Sequence, residues 1–279
     1  MTGRANPVTA SPTFAAGTGS RRGPSPWFAF LLSARIQVKL GLAHSMTYAA
    51  GTLNAMLFLG ILVLSRSGPP DTATATSMVT GSALAAFWAS CVWGGVAVLR
   101  RERWMGVFGA SLTGVQDPLV VLTGKIAGNS LLSLIVVLIS LGGGCLVFGL
   151  RPAFASPPAA LLGFALVVVS GTAASLLVGG CLVVSRHALA ISAGIGMPVT
   201  LLSGTILPLS IFPEPIRYVS HAISLSWLQD FLTSAASGPL DWAALAWAAA
   251  LSGIYAVVGV RVFARMLDRA RREATLELV

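Results

Sequence analysis

The sequence predicts an all-α membrane protein with six transmembrane helices. Of its 279 residues, 55% are hydrophobic and only 10% are charged, whereas a soluble domain averages about 25% charged residues. The mean hydropathy is +0.83, and the apolar residues fall into six runs, each close to the roughly 20 residues that cross a bilayer as a helix. The three cysteines (Cys91, Cys145 and Cys181) lie inside these runs and indicate neither a disulfide framework nor a metal site.

The chain begins with two segments of different character. Residues 1–25 are rich in Gly, Pro, Ser, Thr and Ala, which predicts a disordered cytoplasmic tail. Residues 26–40 open with a proline, and Arg35 and Lys39 lie one helical turn apart among apolar residues such as Trp27. This pattern predicts a helix in the headgroup layer, with Trp27, Arg35 and Lys39 as its interface residues. The alternative is that the segment forms the cytoplasmic start of the first span.

The six apolar runs make up most of a transmembrane domain over residues 26–265, and a basic cytoplasmic tail follows over residues 266–279. The fifth run contains several glycines and prolines, including Pro198 and Pro208, so its helix is expected to be kinked or broken. The predicted spans are 45–65, 77–99, 126–149, 159–184, 188–211 and 242–261.

The segment between the fifth and sixth runs is unusually apolar for a loop. From Ile216 to Phe231 it has apolar residues at helical spacing, with charged residues between them. We therefore expect a short amphipathic helix that dips into the outer leaflet of the membrane.

Lysine and arginine residues are divided unevenly between the two sides of the membrane. Fifteen of the 18 fall in the N-terminal segment, residues 100–125, the Arg186 turn and the C-terminal tail, and only Arg66, Arg151 and Arg217 fall on the other side. Because cytoplasmic loops carry an excess of Lys and Arg, both termini are predicted to be cytoplasmic, in a multi-pass protein of the cell membrane.

The sequence carries no motif for nucleotide hydrolysis or metal-dependent catalysis. Its two lysines, Lys39 and Lys125, do not lie in G-x-x-x-x-G-K-[ST], and H-E-x-x-H and G-x-S-x-G are absent. No clear ionisable residue lies deep in a run, which argues against an ion-coupled secondary transporter. The absence of clustered acids and histidines argues against a membrane-embedded lipid-modifying enzyme. Both remain alternatives, and we expect no cofactor and no nucleic-acid partner for this chain.

Three side chains within the runs are candidates for a substrate path. Trp88 and Trp93 lie near the middle of the second run, although tryptophans usually lie at the membrane interface. They are suited to line a path for an apolar or aromatic compound, with helix packing as the alternative. Asn54 is a large polar group in the first run, and an interhelical hydrogen bond is its alternative role.

A charged island over residues 99–125 separates the second and third runs. Three arginines surround Glu102, and Asp117-Pro118 and Gly124-Lys125 follow. Glu102 is able to accept charge-assisted hydrogen bonds from an arginine of a partner protein, and nearby aromatic residues offer apolar surface. The alternative is an inner loop whose arginines bind anionic lipid. The candidate partner-contact residues are Arg101, Glu102, Arg103, Trp104 and Phe108.

The order of these parts resembles the permease subunit of ABC-2 type exporters, the class that includes daunorubicin-resistance and polysaccharide-export permeases. The resemblance covers roughly residues 26–270. It depends on the interface helix, the outer amphipathic segment and two motif groups: Arg101-Glu102-Arg103 with Gly106 and Gly124-Lys125, and Ser203-Gly204-Thr205 with Pro208. The sequence departs from the family pattern after Gly106, where Val107-Phe108-Gly109 follows instead of Gly-Thr-x-Glu, and at Gly114, where the family has proline.

The resemblance implies a function for the whole chain. The island would form a coupling helix that docks into a groove of a separate ABC ATPase. Two copies of that ATPase would bind ATP and Mg. The permease would pair with a second permease, as a homodimer or with a near relative. The complex would export a drug, a lipid-linked molecule or another amphipathic substrate.

Overall fold

The computed structural model describes residues 25–43, 45–66, 68–104, 117–182, 187–206 and 212–272. All regular structure within these residues is helical. In chain order the helices are α1 (Pro26–Leu42), α2 (Ser45–Leu64), α3 (Thr72–Trp104), α4 (Pro118–Phe148), α5 (Pro157–Leu182), α6 (Ala188–Leu202), α7 (Glu214–His221), α8 (Ser224–Ser237) and α9 (Trp242–Arg272).

Four helices in the described part of the chain are long and apolar enough to cross a membrane, namely α3, α4, α5 and α9. Helices α2 and α6 contain shorter apolar stretches, Gly51–Leu64 and Ala190–Leu202. The fold is therefore that of an all-helical, multi-pass membrane protein, and the count of six spans stays a prediction.

Helix α4 begins at Pro118, two turns before the predicted span start at residue 126. The carboxylate of Asp117 accepts a hydrogen bond from the backbone N–H of Leu119 at 2.9 Å, and proline occupies the first helical turn. Both are common ways to begin a helix. Gly124 and Lys125 consequently lie inside this helix, and the start of the membrane span near residue 126 stays a prediction.

Helices α3 and α4 are longer than a bilayer is thick. Their 33 and 31 residues correspond to about 50 Å and 46 Å at a rise of about 1.5 Å per residue, against a hydrocarbon core of about 30 Å. Both helices therefore extend beyond the apolar layer.

Helix α6 is shorter than the predicted fifth span. Its 15 residues give about 22 Å, and Gly204 follows with φ +77°, a left-handed conformation that suits glycine. The Oγ of Ser203 and the Oγ1 of Thr205 lie 3.0 Å apart in this turn. The predicted break of the 188–211 run is confirmed, and Pro208 lies outside the described residues.

The segment before α9 contains two helices rather than the single one predicted from Ile216 to Phe231. Helix α7 ends at His221, and Ile223 adopts an extended conformation, with φ −97° and ψ 120°, before α8 begins. Helix α8 buries Leu228, Phe231 and Leu232 completely and packs against α3, α5 and α9. Its apolar residues therefore face the protein interior, whereas we expected them to face the outer leaflet.

Helix α3 is the centre of the fold, because it packs against α2, α4, α5, α6 and α8. In its most apolar stretch 72% of the residues are buried, compared with 22% in α9. The core around α3 includes Leu84, Phe87, Cys91, Leu134, Val167 and Leu228.

Small polar side chains join the central helices. The Sγ of Cys91 on α3 lies 2.9 Å from the Oγ of Ser130 on α4 and 3.2 Å from the Oγ of Ser175 on α5. Ser175 also donates a hydrogen bond to the carbonyl of Cys91 at 2.9 Å. Such contacts are typical of helix packing in membranes, where burial of apolar side chains does not by itself drive helices together.

Candidate functional site

An ion pair joins α3 and α4 beside the chain segment that connects them. The Nζ of Lys125 donates to Oε1 of Glu102. The side chains are only 17% and 7% exposed, and the second carboxylate oxygen of Glu102 is buried with no hydrogen-bond partner in the described chain. Glu102 thus points into the protein, and its charge is compensated from within.

The structure describes only part of the predicted partner-contact set. Arg101 is half-buried and Glu102 is buried. Arg103 and Trp104 belong to the last turn of α3, but their side chains lie outside the described part, as does Phe108. The expectation that Glu102 meets an arginine of another protein stays a prediction, and Lys125 is now a competing partner for that carboxylate.

Helix α1 docks on α4 through small residues. Its buried positions recur every fourth residue: Ala29, Ser33, Gln37 and Gly41. On α4, a methyl group at Gly124 would meet the carbonyl oxygen of Phe30, and one at Gly128 would meet that of Ala34. The two backbones can approach closely only because these positions are glycine. Sequence reasoning missed this contact, although G-x-x-x-G at 124–128 is a known signal for close helix packing.

The other face of α1 exposes large apolar and basic side chains. Trp27 is 68% exposed, and Phe28, Leu31 and Ile36 are also exposed, as are Arg35 and Lys39. The three predicted interface residues, Trp27, Arg35 and Lys39, therefore all lie on the face of α1 that points away from α4.

The three candidates for a substrate path are not brought together. Trp88 is buried in the core around α3, and its indole N–H has no partner in the described chain. Trp93 is 37% exposed and lines a cleft between α1, α3 and α4. Asn54 is half-buried on α2.

Among the described residues there is no group of three or more His, Cys, Asp or Glu side chains placed to hold a metal ion. The described cysteines are free. The features that the fold does assemble are polar contacts between helices and a paired, buried charge at the junction of α3 and α4.

A protein-family model for ABC-2 type transporters matches residues 30–236. The chain belongs to the ABC-2 type transporter family. The match runs from α1 to the end of α8 and includes the α3–α4 junction. A comparison with curated proteins found no match. Members of this family are membrane permeases that work with an ABC ATPase, so the chain is a transport subunit of a membrane complex.

Proposed function

We propose that this ABC-2 permease forms the translocation path of an exporter for a drug, a lipid-linked molecule or another amphipathic substrate. Two permeases, as a homodimer, pair with two copies of an ATPase that binds ATP and Mg. The family match is the observation that carries the proposal. The length of α3 and α4 supports it, because both helices extend beyond the hydrocarbon layer toward the segment that would contact the ATPase.

In this proposal six spans cross the cell membrane, with α2 and α6 as the two shorter ones, and both termini are cytoplasmic. Helix α1 lies in the inner headgroup layer, which would cover the exposed side chains of Trp27 and Phe28 and leave Arg35 and Lys39 near lipid phosphates.

Coupling is proposed to take place at the α3–α4 junction. Arg103, Trp104 and Phe108 are proposed to contact the ATPase directly. Glu102 would act indirectly: its ion pair with Lys125 would hold the ends of α3 and α4 at a fixed separation. A movement of the ATPase would then shift both helices together. Only a difference in contact free energy between two conformations can drive such a shift.

Site-specific cross-linking tests this assignment. In a version without native cysteines, Phe108→Cys and Tyr218→Cys would each carry a benzophenone-maleimide label. Tyr218 is the matched control, because it is 76% exposed on α7, on the predicted outer side. We expect Phe108→Cys, and not Tyr218→Cys, to cross-link to the ATPase.

Two results would contradict the proposal at different levels. Cross-linking of Phe108→Cys only to lipid, while the ATPase co-purifies, would disprove coupling through residues 99–125. Export that continues in cells depleted of ATP but stops when the proton gradient collapses would favour a secondary transporter.

A further inference from the structure

A cleft opens between α1, α3 and α4, beside the docked face of α1. It is lined by Gln37 of α1, by Ser90, Trp93 and Arg101 of α3, and by Asn129 and Ser133 of α4. Its volume is about 60 Å³, far below the roughly 300 Å³ at which pockets for drug-sized ligands begin. The cleft therefore admits a compact polar group and not a whole drug molecule.

Three polar side chains around this cleft have no hydrogen-bond partner among the residues that the structure describes. Gln37 is 6% and Asn129 is 8% exposed, and neither amide makes a side-chain hydrogen bond in the described chain. The Oγ of Ser90 is fully buried and is likewise without a partner there. Burying a polar group without a hydrogen bond costs about 1–3 kcal/mol in proteins, so the mostly buried amides of Gln37 and Asn129 favour a polar ligand in this space.

The positive charge of the cleft lining favours an anionic ligand. Arg101 is the charged residue of the described lining, and it makes no salt bridge within the described chain. The neighbouring carboxylate of Glu102 is already paired with Lys125. It therefore does not compensate the charge of Arg101. Amide N–H groups and hydroxyls add donors beside the guanidinium. Arginine is the residue type best suited to bind a phosphate.

The apolar side chains around the cleft favour an amphiphilic ligand. The indole of Trp93 forms part of the lining and is 37% exposed, and the neighbouring α1 side chains Ile36 and Leu40 are exposed and apolar. A ligand with its head among the donors would extend its apolar part along these side chains. We propose that the cleft binds the phosphate of an anionic phospholipid, with Arg101 as the charged contact and Gln37 and Asn129 as donors.

Binding to the purified full-length permease tests this proposal by native mass spectrometry. The probes are palmitoyl-oleoyl phosphatidylglycerol, the zwitterionic phosphatidylcholine with the same chains, and inorganic phosphate. We expect phosphatidylglycerol to bind most tightly. Arg101→Gln is expected to weaken it about tenfold or more, because it removes hydrogen bonds to a charged group. Ala97→Phe fills the lined space without a change of charge and is expected to weaken binding similarly.

Arg100→Gln is the matched control, because it removes the same charge from the neighbouring, exposed position on α3. It should bind phosphatidylglycerol like the unaltered chain. Equal binding in the unaltered chain, Arg101→Gln and Ala97→Phe would overturn the proposal, as would an equal loss in Arg100→Gln. Stronger displacement by inorganic phosphate than by lipid would overturn the assignment to a lipid. Phosphatidylcholine binding as tightly as phosphatidylglycerol would overturn the requirement for an anionic headgroup.

Discussion

Glu102 and Lys125 are 23 residues apart in sequence and meet at the ends of two long helices. The carboxylate is more buried than the ammonium group, so Glu102 depends on Lys125 more than the reverse. Removing one member of a buried pair leaves a charge without a partner, which costs far more than the pair itself contributes.

We therefore expect Lys125→Met to lower the free energy of unfolding by about 3–5 kcal/mol. The exchanged pair, Glu102→Lys with Lys125→Glu, should recover most of that loss, because it restores opposite charges across the same gap. Thermal unfolding of the purified permease measures both effects. Arg100→Met, at an exposed position, is the control and should unfold like the unaltered chain. An exchanged pair no more stable than Lys125→Met would contradict an internal role for the pair.

The contact between α1 and α4 is largely independent of the packing among the other helices. Helix α1 touches the bundle mainly through α4, and the close approach at Gly124 and Gly128 makes that contact possible. A side chain there would separate the helices without disturbing the core around α3.

Gly128→Val is expected to loosen α1, because its Cβ would meet the backbone of Ala34. Overpacking of this kind typically costs about 1–3 kcal/mol. Limited proteolysis in detergent should cut Gly128→Val within α1 faster than the unaltered chain. Gly142→Val on the same helix has open space around its Cβ and should be cut at the ordinary rate. Equal protection of both variants would mean that α1 does not dock through this face.

The orientation of the whole molecule is predicted from the 15-to-3 division of its Lys and Arg residues. In a version without native cysteines, Ser67→Cys and Ser237→Cys should react with a membrane-impermeant maleimide on intact cells. Ser20→Cys and Thr275→Cys should react only after the cells are opened. The reverse pattern would place both termini outside.

The number of chains in the complex is predicted from the family and from the large apolar surface that a single chain leaves exposed. Purification with its ATPase in mild detergent should give two copies of each chain, measured by native mass spectrometry. Small residues let helices approach closely in membranes, so they are expected at the permease–permease contact. An active complex with one permease for two ATPases would contradict this prediction.

Local patterns predicted much of the fold and little of the site. The apolar run expected at 159–184 is α5, because Pro157 and the length of the run suffice to locate it. The burial of α8 was not predictable, because apolar residues at helical spacing suit a protein interior and a lipid surface equally well. The pairing of Glu102 with Lys125 depends on how α3 and α4 lie side by side, and the cleft depends on three helices at once. No short window of sequence contains either.

The length of α3 has a mechanical consequence. A rod of about 50 Å that tilts by about 5° around one end moves its other end by about 4 Å, which is somewhat less than the roughly 5.4 Å rise of one helical turn. Because α3 packs against five other helices, that displacement cannot stay local to one neighbour. A small tilt of α3 imposed near Glu102 would therefore change the spacing between helices near Thr72, at the opposite end. Helix α3 would act as a lever without a hinge of its own.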